Sequence, residues 1–337
     1  MSIMINGEAK RIGLALSGGG FRAAAFHLGV FRKLESMGIL WKVDLLTCVS
    51  GGSIAGAFLA ANWGKAVSLD ELEAYLLTKS IAVSSVIGGL LDPFESRLDK
   101  LAHSYDKDLY KELKLSQLAN GPRLYLNATN LSSGNMFFFV TGGGKPAEMG
   151  EHEFGVVKAD DFPLCKAVAA SSAFPPVFPP LRIDSENYAH AGGDYVTLTD
   201  GGVYDNLGVN PLLRERNDLD YAIVSDGGKP FENSERPTES GMVVLYESIG
   251  ILMEQVRGLQ FRRLELAHQS GKGPKPLWFS IDSKVGEIQP GDANFASVIS
   301  TNLKKLSNQE IAVLTRHAAA LLNHRMETYA SELLTAS

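Results

Sequence analysis

The chain has 337 residues, 45% of them hydrophobic, enough to bury a large core in one α/β domain. Its 32 basic and 38 acidic residues give a formal net charge of −6, so it lacks the overall basic balance of a nucleic-acid-binding domain. Two cysteines, Cys48 and Cys165, are too few for a disulfide framework and fit a reduced, cytoplasmic protein.

The first residues, Met1 to Arg11, contain no apolar run followed by a cleavage site, and no window is long and apolar enough for a membrane span. Contact with a bilayer is therefore expected only at its surface, and export without a cleavable signal stays open. Ile12 to Leu16 reads as a strand, followed by the glycine turn Ser17-Gly-Gly-Gly-Phe-Arg-Ala23. A helix then carries Ala24, Ala25, Leu28, Phe31 and Leu34 at helical spacing and closes at Gly38. Leu45 to Val49 forms a second apolar strand that ends in Ser50 between small residues, with Gly51, Gly52 and Gly56 opening another helix. Strand, turn, helix, strand, turn, helix is the opening of a parallel sheet.

Ser68-Leu-Asp-Glu71 has the form of a capping box, predicting a helix from about Leu69 toward Lys79. Ser80 to Leu91 is apolar but broken by paired glycines; it reads as a buried connector, with a cover over a site or a membrane-touching patch as the alternative. Arg123 to Asn130 and Asn135 to Val140 are strands joined as a hairpin through Leu131 to Gly134. After a polar, glycine-rich passage, Pro163 to Ala170 is a short helix, and Ser171 to Pro180 a stiff loop whose Phe174 and Phe178 suit the wall of an apolar substrate pocket. Tyr195 to Thr199 is a strand running into Asp200-Gly-Gly202, and Asp220 to Ser225 another running into Asp226-Gly-Gly228.

Gly241 to Gln269 is helical in pattern; Arg257, Arg262, Arg263, Lys272 and Lys275 read as a solvated face, with anionic head groups as the alternative. Leu277 to Ile281 is a late strand, and Ser307-Asn-Gln-Glu310 a second capping box opening a helix with Ile311, Leu314, Ala318, Leu321 and Leu322 on one face. The expectation is one three-layer α/β/α domain over residues 8–337, built on a mainly parallel sheet, with a helical C-terminal part over 241–335.

Three corners carry the chemistry. Gly18, Gly19 and Gly20 have no side chains, so the amides of this loop can converge on an oxygen, as an oxyanion hole requires; Arg22 can hold the loop or face an acidic group. Ser50 stands at a sharp strand-to-helix turn, the setting of a nucleophile elbow, and Asp200 can take its proton. Asp226 is a rival base, read as a turn carboxylate. His268 and His317 are rivals for a triad, but both sit inside helical patterns, as does His27. Gly18-x-Gly20-x-x-Ala23 after a strand also satisfies a dinucleotide-binding fingerprint. That reading wants an acidic residue at the end of the second strand, where Val49 and Ser50 stand instead.

Gly18-Gly-Gly-Phe-Arg-Ala23, Cys48-Val-Ser-Gly-Gly52 and Asp200-Gly-Gly202, in this order, resemble the patatin-like phospholipase family with its G-G-G-x-R-G, G-x-S-x-G and D-G-G/A motifs. Ala170 to Pro180 and Gly201 to Gly208 resemble that family's connecting segments, and the likeness is clearest over 11–228. Ala23 and Cys48 replace family glycines without removing a reacting group. The resemblance implies a patatin-like fold and a lipid acyl hydrolase acting on phospholipid or lysophospholipid through a Ser50–Asp200 dyad, with no histidine, metal or cofactor. Gly18, Gly19, Gly20, Phe21 and Arg22 would form the oxyanion hole. The alternatives are a Rossmann-like dinucleotide binder and a catalytically silent lipid-binding protein of the same fold.

Overall fold

Alternate residues of the central strands point into two separate cores, and that alternation fixes the layering. On the strand β3 (Ile12–Leu16), Leu14 and Leu16 join the larger core while Ala15 joins the smaller; on β6 (Met136–Thr141), Phe137 and Phe139 face one way, Phe138 and Val140 the other. The computed structural model describes residues 3–65, 69–81, 97–228, 230 and 240–335.

The larger core lies under α1 (Gly20–Ser36), α2 (Gly51–Ala61), α3 (Asp70–Thr78), α4 (Arg97–Tyr105), α5 (Leu164–Ser171), α8 (Asp292–Val298) and α9 (Asn308–Tyr329). The smaller lies under the segment after α6 (Gly202–Asp205) and under α7 (Gly241–Gln269), which supplies Phe261 and Leu264. This is the three-layer arrangement expected from the sequence.

At the heart of the sheet β12 (Lys275–Ser280), β11 (Tyr221–Asp226), β3, β4 (Leu45–Val49) and β5 (Arg123–Asn130) run parallel in that spatial order. Both faces of β3 and β4 are covered, so every residue of each is buried and their runs are apolar except for Thr47, whose hydroxyl is satisfied by donating to Gly208 C=O at 2.7 Å. Beyond β5 the sheet turns antiparallel through β6, β7 (Glu148–Glu151) and β8 (Gly155–Lys158). These last two strands lie in the passage read from the sequence only as polar and glycine-rich.

The strand β10 (Tyr195–Asp200), paired with β9 (Leu181–Asp184), also runs antiparallel to β5. An N-terminal hairpin of β1 (Ile3–Ile5) and β2 (Glu8–Lys10) stands apart from this sheet. The capping box at Ser307 forms, with Ser307 N–H donating to Glu310 Oε2 at 2.7 Å and Glu310 N–H to Ser307 Oγ at 3.2 Å. Ser68 of the other box, and the apolar stretch from Ser80 to Leu91 apart from Ser80 and Ile81, lie outside the described residues. Among the described residues no helix is long and apolar enough to cross a membrane.

Candidate active site

The edge of β5 opposite β6 holds two strands end to end. Running up it, β4 finishes with Val49 beside Asn127; running down it, β10 finishes with Asp200 beside Ala128. Adjacent positions on a strand are about 3.3 Å apart, so Ser50, one residue past β4, is delivered to the last residue of β10. Chain separation of 150 residues is erased by one shared neighbour.

Ser50 has φ 50° and ψ −114°, a left-handed conformation that non-glycine residues rarely adopt. Its backbone is held from two sides. Ser50 N–H donates to Ser171 Oγ at 3.1 Å, and Ser50 C=O accepts from Ser53 N–H at 2.9 Å. Ser171 Oγ gives its single proton to Asn127 C=O at 2.6 Å, so the 2.7 Å contact with Ser53 Oγ has Ser53 as donor. The carbonyl of Ser171 meanwhile accepts Gly201 N–H at 3.2 Å, next to Asp200. One residue at the end of α5 therefore grips both corners.

Asp200 is buried. Its Oδ1 accepts Gly202 N–H at 2.7 Å, and Oδ2 has no formed hydrogen bond among the described residues. Desolvation raises its pKa from 3.8 to about 7, against the smaller lowering effects of Gly202 N–H and the neighbouring Ser50 hydroxyl. A buried carboxylate of that basicity, with one oxygen unoccupied beside a serine, is equipped to accept a proton near neutral pH.

The glycine loop packs directly on the elbow. A Cβ on Gly51 would lie 2.1 Å from Gly20 C=O, and one on Gly18 would lie 3.2 Å from Ser50 Cβ, so neither position has room for a side chain. Within the loop Gly18 N–H donates to Asn206 C=O at 3.0 Å and Phe21 N–H to Asn302 C=O at 2.9 Å. The Arg22 guanidinium, wholly buried, donates to the carbonyls of Gly227 and Ile299 at 3.1 and 2.9 Å. The amides of Gly18 and Phe21 are thus already engaged, and the Arg22 side chain holds the loop rather than facing the serine. Gly19 and Gly20, at φ 142° and 60°, keep N–H groups without a partner among the described residues, as does Gly51 at the start of α2. Sequence reasoning missed Gly51 as a donor, although the residue after an elbow serine is a recurrent one.

Asn206 is a further residue that sequence reasoning did not single out. Its Oδ1 would lie 2.3 Å from a Cβ on Gly18 and 2.6 Å from one on Gly202, so its amide fills the angle between the two corners. The turn that presents it is held by Asp205, whose buried carboxylate accepts from the N–H groups of Leu207, Gly208 and Asn210.

The rival groups have other partners. Asp226 is ion-paired with Arg257 at 2.6 Å and accepts Gly228 N–H, which makes it a structural carboxylate. His27 bonds Ser225 Oγ and Ser17 C=O, and His317 bonds Ile281 C=O. His268 is exposed near the end of α7. Phe178 is buried in the larger core instead of lining an open cleft, with Phe174 half-buried before it. A surface cavity of about 270 Å³ lined by Phe58, Asn62, Lys65, Asp108 and Tyr110 includes neither phenylalanine. Of the helix cations expected to be a solvated face, Arg257 is tied down as above and Arg263 donates to Asn210 Oδ1 at 2.8 Å.

The sequence matches the model of the family described as patatin-like phospholipase over residues 14–213, more than half of the chain. No curated protein matches it. Among solved structures, human GIVD cytosolic phospholipase A2 in complex with methyl γ-linolenyl fluorophosphonate inhibitor and terbium chloride superposes with a TM-score of 0.58 at 13% identity, covering 96% of this chain and 59% of that one. Human GIVD cytosolic phospholipase A2 in a second structure gives 0.56 at 14%, covering 96% and 62%. Likeness at such identity shows a shared fold, and this chain spans about three fifths of the length of those proteins.

Proposed function

The chain belongs to the patatin-like phospholipase family, and from that premise we propose that it is a lipid acyl hydrolase working through Ser50 and Asp200. Asp200 accepts the Ser50 proton as Oγ attacks the acyl carbon, and the negative charge that develops on the carbonyl oxygen is met by N–H groups of the glycine loop. Protonated Asp200 then returns its proton to the departing alcohol, leaving the acyl group on Ser50. Water, deprotonated by the same carboxylate, releases the fatty acid and restores the serine.

The observation that carries this reading is the meeting of β4 and β10 on β5, which sets a buried, half-unpartnered carboxylate against a serine at a strained turn. The family supports an ester of a phospholipid or lysophospholipid as substrate. Such a substrate brings the protein into peripheral contact with a membrane. The dinucleotide reading fares worse: it needs an acidic residue at the end of the second strand, where Val49 and Ser50 stand.

The test uses an activity-based fluorophosphonate together with a panel of phospholipids and lysophospholipids, with product analysis. Labelling and fatty-acid release by the wild type, both lost in Ser50→Ala, support the proposal. A folded wild type that neither labels nor releases fatty acid overturns it in favour of a catalytically silent lipid binder.

A further inference from the structure

Among the described residues, helix α7 touches the body along one face. Met253 reaches Gly202, Arg257 holds Asp226 and Ser280, Phe261 lies against Trp278 with ring centroids 4.5 Å apart, and Leu264 is fully buried. On another face Leu245, Leu252, Leu259 and Leu266 recur every seven residues, 53, 65, 66 and 64% exposed. Three residues before Leu252 and Leu259 stand Ile249 and Val256, both half-buried.

This alternation of three and four is a heptad seam, with leucine at one core position and Ile249 and Val256 at the other in its middle, between Met242 and Arg263 at its ends. Such spacing lets two helices pack along a common apolar line, side chain into gap. A helix whose only task is to cover its own domain turns its leucines inward, and here all four stand out in water.

We infer that this ridge is the contact between two copies of the chain, joined α7 against α7 about a two-fold axis. The seam from residue 245 to 266 is about 33 Å long at 1.5 Å per residue. Its period speaks for a helix as occupant, because a lipid surface imposes no register. Charge speaks the same way: a helix lying in a bilayer surface carries a basic face, yet residues 241–256 contain no lysine or arginine and include Glu247 and Glu254. Arg257, the first cation, is bound to Asp226. Ser248, Gln255 and Gln260 flank the seam without charge; Arg262 is the charged flanking residue, and in an antiparallel pair it falls beside the Ser248 end of the other copy rather than beside its own double. An antiparallel arrangement sets Arg263 of one copy against the other's apolar half instead of against its own double.

The experiment is sedimentation equilibrium of the full chain, wild type against the double variant Leu252→Glu, Leu259→Glu, with far-ultraviolet circular dichroism as the check on folding. Both leucines are mostly exposed, so the fold should survive. The expected result is a concentration-dependent wild-type dimer whose dissociation constant rises about 100-fold or more in the variant, since two core leucines leave the seam. If the variant loses its folded spectrum, the pair Leu252→Gln, Leu259→Gln gives the same reading. A wild type that stays monomeric, or a dimer unchanged by either pair, overturns the inference. So does a monomer that floats with phosphatidylcholine–phosphatidylglycerol vesicles through these leucines, which assigns the ridge to a bilayer. The readout is mass, so it stands or falls independently of the hydrolase proposal.

Discussion

Asp200→Asn separates two properties that one carboxylate couples. Burial lifts the Asp200 pKa from 3.8 to about 7. A carboxyl group with a native pKa above its unfolded one favours the fold while it is protonated. That contribution is complete below about pH 4 and is lost as pH rises through about 7. That rise, at about 1.36 kcal/mol for each tenfold change in proton affinity, corresponds to about 4 kcal/mol. Asparagine has no charge to desolvate, and its Oδ1 can still accept the Gly202 N–H.

The variant should therefore match the wild type near pH 4 and exceed it by about 4 kcal/mol at pH 8, roughly 6 °C in Tm for a chain of 337 residues. Melting curves at intervals from pH 4 to 8 measure this directly. Ester hydrolysis should fall by roughly 10² to 10⁴-fold in the same variant, and wild-type kcat/KM should rise with pH through about 7 as the base ionises. A stability difference that does not change with pH refutes the burial argument. Near-wild-type turnover refutes the role of Asp200 as the base.

Ser171→Ala removes the acceptor of the Ser50 N–H and should destabilise the protein by about 1 to 3 kcal/mol. Because Ser171 acts through the serine's backbone, kcat should fall about 10-fold with KM unchanged; an unchanged kcat would limit Ser171 to structure. In Gly51→Ala the new Cβ would sit 2.1 Å from Gly20 C=O, so the loop must move, and kcat should drop about 100-fold while circular dichroism stays native. Gly258 lies in the middle of α7, where an added methyl would meet nothing within 4 Å, so Gly258→Ala should raise stability by about 0.5 to 1 kcal/mol, read from the urea midpoint.

The strands that bear the site were legible where burial on both faces forces a nearly continuous apolar run, Thr47 being the one polar residue within it. Ile12 to Leu16 and Leu45 to Val49 were read to the residue, because small residues end each run abruptly. The short strands Glu148–Glu151 and Gly155–Lys158 were not, since pairing with a neighbour rather than local preference makes them strands. One signal was overlooked: Asn6-Gly7 between Ile3–Ile5 and Glu8–Lys10, both at positive φ, is a strong hairpin cue.

Within the site, Ser50 and Asp200 were named from their corners, but the direction of β10 was not, because it depends on a partner strand some 70 residues earlier. The engaged amide of Phe21 depends on the carbonyl of Asn302, far along the chain, and no local pattern announces it. Phe178 looked like pocket wall because a proline-rich loop hides which way its side chain is turned. The structure packs it inward.

A hydroxyl and a carboxylate brought nose to nose on one splint inherit the pleat as their tolerance. Sliding β10 by a single residue along β5 would carry Asp200 about 3.3 Å away and turn its side chain to the opposite side of the sheet. The exposed turn over residues 192–194 can lengthen with little effect, whereas one deletion between Val196 and Thr199 would, on the proposed mechanism, abolish hydrolysis while leaving Ser50 and Asp200 in the sequence. Divergence in such a protein is governed by counting along a strand more than by which side chains are kept.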